Sequence, residues 1–225
     1  MAVVVNLPLA SDIKRALDRM KSLQEGDLGV LDVVACGRRA IPALRALLLE
    51  GQSSGIYQPR CRAVEALAAL GAHDVLIEFL SSPREVADPV NRTGEEAVIS
   101  AAARALVDSR DDRVLPRLLE LAKRQPLAGV IDALGSYRRA EAIPCLITAL
   151  SEDYSRRAAE VALLRMGPKA RPALLRSGLA SGAIGGMGIA IEPQSSPQRG
   201  PPPSSNWRFV PTTIPASGSD GGRRC

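Results

Sequence analysis

Between Pro126 and Gly135 the apolar residues Leu127, Val130, Ile131 and Leu134 fall three and four apart, the spacing that puts side chains on one face of a helix. Residues 62–67 and 75–80 carry the same kind of pattern on either side of Gly71. Thr93 followed three residues later by Glu96 has the form of a capping box, and Ala101, Ala102, Ala105 and Leu106 continue a helix from it. The whole pattern predicts an opening helix over residues 12–23, capped by Ser11, and then five helix pairs beginning near Asp27, Arg60, Thr93, Gln125 and Tyr154.

A proline recurs within this pattern. Val114-Leu115-Pro116-Arg117-Leu118, Ala142-Ile143-Pro144-Cys145-Leu146 and Ala170-Arg171-Pro172-Ala173-Leu174 place it at intervals of 28 residues, and Ala40-Ile41-Pro42-Ala43-Leu44 is a further copy upstream. In the first turn of a helix the missing N–H has no partner to lose, so each proline marks the start of the second helix of a pair. Leu76 stands in that place in the pair that lacks one. A short fixed period signals stacked units that bury their apolar faces against each other. The fold class is therefore all-α, an α-α superhelix or solenoid of helix pairs.

These units resemble HEAT-like repeats, specifically the short PBS-lyase-type variety. Ala133-Leu134-Gly135 leading into Ala142-Ile143-Pro144-Cys145-Leu146 carries the resemblance best, and it extends over residues 27–176 as repeat architecture. It is specific for fold and nearly silent on function, since such repeats serve scaffolds, adaptors, inhibitors and a few enzymes alike; the expectation of a non-catalytic interaction scaffold or adaptor rests on what repeat surfaces commonly do. The enzyme the resemblance brings forward is a bilin lyase, for which no catalytic motif is visible. Deoxyhypusine hydroxylase, an iron enzyme built from similar repeats, needs several His-Glu pairs, and this chain has one histidine.

Composition agrees with packed helices: hydrophobic residues make up 46% of the 225 but aromatics only 3%, so the core is built from Ala, Leu, Val and Ile. Four scattered cysteines, Cys36, Cys61, Cys145 and Cys225, form no Cys-x-x-Cys pair and read as reduced thiols of a cytoplasmic protein. The N-terminal stretch has neither the basic start of a signal peptide nor the length of a membrane anchor. From Ser177 onward the sequence turns rich in Gly, Pro and Ser. This divides the chain into a repeat domain, residues 1–177, and a tail, residues 178–225, expected to be disordered. No polar capping helix precedes the tail, which leaves the last pair as a surface for self-association.

Candidate chemistry is sparse. No metal cluster, phosphate loop or nucleophile elbow is present, and no cofactor is implied. His73, beside Asp74 in a turn between helices, reads as a capping or solvent-facing residue. With 29 Lys and Arg against 24 Asp and Glu the net charge of +5 is mild. The pairs Arg38-Arg39, Arg138-Arg139 and Arg156-Arg157 raise nucleic-acid binding as an alternative, yet they do not share one edge, which argues against it. Loop length points elsewhere: the connections over residues 50–60 and 81–93 are long and should lie side by side. Tyr57, Arg60, Arg62, Arg84, Asp88, Asn91 and Arg92 form the expected partner-binding patch, with a protein as the partner and Tyr57 as its aromatic anchor. The row of second helices, with Arg45, Glu78, Arg117, Glu120, Thr148 and Arg176, is the other expected surface.

Overall fold

The computed structural model describes residues 10–109 and 111–177. The tail from 178 lies outside them. Eleven α-helices follow in order: α1 (Ala10–Lys21), α2 (Gly26–Ala35), α3 (Ile41–Leu49), α4 (Gln58–Ala69), α5 (His73–Ser81), α6 (Pro89–Ala105), α7 (Val114–Arg124), α8 (Ala128–Tyr137), α9 (Ile143–Ala149), α10 (Arg156–Met166) and α11 (Arg171–Arg176). No strand occurs among the described residues.

The helices form two layers. In the first, α1, α2, α4, α6, α8 and α10 each pack on the next; in the second, α3, α5, α7, α9 and α11 do the same. The apolar stripes meet between the layers, where Leu44, Leu48, Leu67, Leu76, Leu106, Leu118, Ile131, Leu134 and Leu146 are fully buried. This is the helical solenoid that the repeating pattern predicts. Pro42, Pro144 and Pro172 sit in the first two positions of α3, α9 and α11, where their missing N–H costs nothing.

Several local expectations are corrected by competing interactions. Ser11 lies inside α1 instead of capping it. The capping box at Thr93 is not used, because α6 begins four residues earlier: the Asp88 carboxylate accepts the Asn91 N–H at 2.8 Å, and Thr93 Oγ1 donates back to the Pro89 carbonyl. Likewise Pro126 lies just outside α8, whose N-cap is Leu127.

Gly135 is another such case. It does not follow α8 but lies within it, and a Cβ at this position would stand 2.4 Å from the Ala162 Cβ and 2.7 Å from the Ala162 Cα of α10. Its task is close approach of two first helices, a role shared by Gly29 against Met20 and Gly129 against Ser100. Gly135→Ala therefore destabilises the fold by about 1–3 kcal/mol through overpacking, although the same change in an exposed helix would stabilise it. Urea unfolding checks the sign: the midpoint falls in this variant, and a rise would show that α8 and α10 are not in close contact.

Candidate functional site

The two long connections do come together. Residues 50–57 join α3 to α4 and residues 82–88 join α5 to α6, and both abut the first half of α6. The Gly55 N–H donates to Asn91 Oδ1 at 3.1 Å, Arg84 donates to the Gly51 carbonyl, and Gly94 lies so close to the Ser54 carbonyl that a Cβ would fall 2.1 Å from it.

Beneath this edge lies a buried ion pair. Arg60 of α4 and Glu95 of α6 have side chains only 6% and 2% exposed. Arg60 Nη1 donates to Glu95 Oε2 and Nη2 to Oε1 at 3.2 Å, while Nη2 also reaches the Leu48 carbonyl at the end of α3 at 2.9 Å. Ser53 Oγ, in the first long connection, donates to Glu95 Oε2 at 2.7 Å. The guanidinium carbon stands 5.5 Å from the centre of the Phe79 ring, a cation-π distance. Burial alone would raise the Glu95 carboxyl, but the hydrogen bonds from Arg60 and Ser53 and the charges of Arg60 and Arg84 outweigh it, and its pKa is held below the ordinary value.

This placement corrects two of the predicted site residues. Arg60 is not on the surface patch: a cation on the apolar stripe of α4, in line with Ala63, Val64 and Leu67, is drawn inward by its partner on α6. Arg62 turns away toward the preceding connection, where it donates to the Met20 and Ser22 carbonyls at the end of α1 at 3.2 and 2.7 Å and pairs with Asp27 at 2.9 Å. It caps a helix C-terminus. Tyr57 is half-buried against the core, Asp88 caps α6 and Asn91 holds Gly55, so the surface they share with Arg84 and Arg92 is built by the joined loops.

Sequence reasoning missed Glu95, although a signal was there. It stands three and four residues before Val98 and Ile99 on the buried stripe of α6, as Arg60 does before Ala63 and Val64 on α4. Opposite charges at matching positions of consecutive first helices are a partnered pair in waiting.

Beside the joined loops opens a cleft of about 270 Å³. Ile99 and Leu121 form its buried floor, Pro83 and Val86 of the second long connection one wall, and Gln125 and Leu127 before α8 the other. Arg92 and Arg124 stand exposed at its rim, and neither has an ion-pair partner among the described residues. The cleft offers an apolar floor, the guanidinium groups of Arg84, Arg92 and Arg124, the carboxylates of Glu85, Glu95 and Glu96, and an irregular stretch of backbone.

In the second-helix row several of the expected charges are paired, though Arg176 has no ion-pair partner among the described residues. Arg45 bonds Glu78 on the neighbouring helix, Arg117 bonds Glu120 at 2.7 Å, and Arg113 joins Asp74 to Asp111. Hydrogen bonds from the Arg113 side chain and backbone lower Asp111 to about 2. His73 opens α5 beside Asp74. Among the described residues no group of three or more His, Cys, Asp and Glu is arranged to hold a metal, and no helix is long and apolar enough to cross a membrane.

Glu95→Ala leaves the Arg60 guanidinium buried and alone, and costs about 3–5 kcal/mol of stability. Replacing both groups, as Arg60→Met with Glu95→Leu, costs much less. The depressed Glu95 pKa also sets a pH dependence: its contribution is fully present above the unfolded value near ~4.3 and is lost as pH falls through the folded value. Urea titrations from neutral to acid pH check both points, since Glu95→Gln removes this share of the acid loss.

Comparison with known proteins yields one family. The model of the PBS lyase HEAT-like repeat matches residues 98–124, the stretch from the buried half of α6 through the turn into the end of α7. The segment that shows the resemblance most plainly to the eye, 133–146, belongs to the next pair along. Neither the curated proteins nor the solved structures yield a match. Residues 98–124 thus match the PBS lyase HEAT-like repeat, and they lie within a stack of helix pairs.

Proposed function

We propose that this chain is a non-catalytic interaction module that holds an extended segment of a partner protein in the cleft at its long-loop edge. The observation that carries the reading is the combination of apolar floor and unpaired rim arginines. Ile99, Leu121 and Leu127 offer a seat for an apolar side chain, and Arg92 and Arg124 offer fork-shaped donors to a carboxylate or carbonyl beside it. Residues 82–88, which lack regular secondary structure, lend backbone groups along one wall.

Preorganisation strengthens the case. A loop edge pinned from below by Arg60, Glu95 and Ser53 loses little freedom when a ligand arrives, so less of the contact energy goes into ordering it. The lyase in the family description assigns no residue here a catalytic role. The paired charges of the second-helix row already satisfy one another and have less to offer a ligand.

The test uses the full chain as bait in lysate of its own source. Arg92→Glu with Arg124→Glu lowers recovery of a specific protein by about tenfold or more, while Arg38→Glu with Arg39→Glu, in the turn between α2 and α3, leaves it unchanged. Equal recovery with both double variants would contradict the assignment of the cleft.

A further inference from the structure

Opposite the long connections lie the turns inside each helix pair, and one of them is built against local preference. At three of these turns the chain leaves its first helix through a glycine with positive φ, Gly37, Gly71 and Gly167, at 69°, 68° and 60°. Between α8 and α9 the residue with positive φ is Arg138, in the left-handed region at φ 50° and ψ 32°. Side chains are disfavoured there, and glycine would serve the turn better.

Within its own turn Arg138 has little charge to balance it, although Asp108 and Asp111 of the neighbouring α6–α7 turn lie close enough to act on Tyr137. Arg138 and Arg139 are exposed, and the nearest acid to Arg139 is Glu141 at 4.0 Å. In the adjoining turn, between α10 and α11, Lys169 and Arg171 are exposed and have no acidic partner among the described residues. Because α10 packs directly on α8, the two turns lie about 8–10 Å apart. Four cations against one carboxylate thus occupy one short stretch of this edge. The α6–α7 turn on the other side has the opposite character, with Asp108, Asp111 and Asp112, and its Arg113 is held by Asp111 and Asp74.

We propose that the α8–α9 and α10–α11 turns form a second docking surface, which takes a short acidic peptide segment of another protein. An extended chain advances about 3.3 Å per residue, so acidic side chains about three residues apart reach both turns. The dimensions favour a peptide over a nucleic acid. A phosphate backbone following the edge would leave the four cations and run onto the aspartates of the α6–α7 turn, whereas a short peptide ends before them. This surface stands apart from the cleft and does not depend on it.

The test is fluorescence anisotropy with the full chain and a labelled hexaglutamate peptide, at low and moderate salt. The peptide binds, and binding weakens by about tenfold or more in the variant combining Arg138→Gly, Arg139→Ala, Lys169→Ala and Arg171→Ala. Arg138→Gly alone weakens it by about threefold and leaves the melting temperature unchanged or raised, as expected where a side chain opposes the turn. Arg156→Ala with Arg157→Ala, on the other edge, has no effect. The proposal is overturned if hexaglutamate fails to bind at low salt, if the fourfold variant binds it as well as the native chain does, or if a single-stranded oligonucleotide of equal length binds more tightly than the peptide through the same four residues.

Discussion

The buried pair of Arg60 and Glu95 is the interaction on which the long-loop edge depends. Two charges withdrawn from water are tolerated only when each finds several partners, and this geometry supplies them from four segments: α4, α6, the end of α3 and the first long connection. A hydrophobic pair could fill the same space. It would not pull Ser53 and the Leu48 carbonyl toward one point, so the ion pair fixes where the loop starts and how α6 lies against α4. Above it Arg84 ties the second connection to the first, and Asn91 ties the first to α6.

A solenoid needs one face of every unit to be monotonous and leaves the edges free to vary. Here the monotony is an Ala and Leu interior with small residues where first helices touch. The variation appears at the two edges, as long pinned connections on one and as clustered cations on the other. Second helices lie between these edges, where two ion pairs, Arg45 with Glu78 and Arg113 with Asp74, join neighbouring units. The surfaces with unmatched chemistry are thereby separated across the width of the stack.

Repeat architecture was legible in the sequence because it rests on local rules. Helical periodicity and the proline at the first turn are properties of a few consecutive residues, and both layers could be assigned from them. Helix starts were less legible where two local candidates compete: Thr93 offers a capping box, but Asp88 followed by Pro89 begins α6 earlier and leaves Thr93 inside it. Gly135 reads as a stop signal because glycine often is one, and only the approach of Ala162 from another pair reveals its use. The candidate site was legible as two neighbouring loops. The roles of Arg60 and Arg62 were not, since each depends on a partner about 35 or 40 residues away, in the range where sequence spacing says nothing of direction.

The most direct measurement is native-state amide hydrogen exchange on the full chain and on the Arg60→Met, Glu95→Leu double variant, which keeps the space filled and removes the charges. The account predicts that the first long connection loses protection in the variant, the Gly55 amide most clearly because it depends on Asn91, while α8 to α10 keep theirs. Unchanged protection at Gly55 would contradict it, and would mean that packing alone seats the edge.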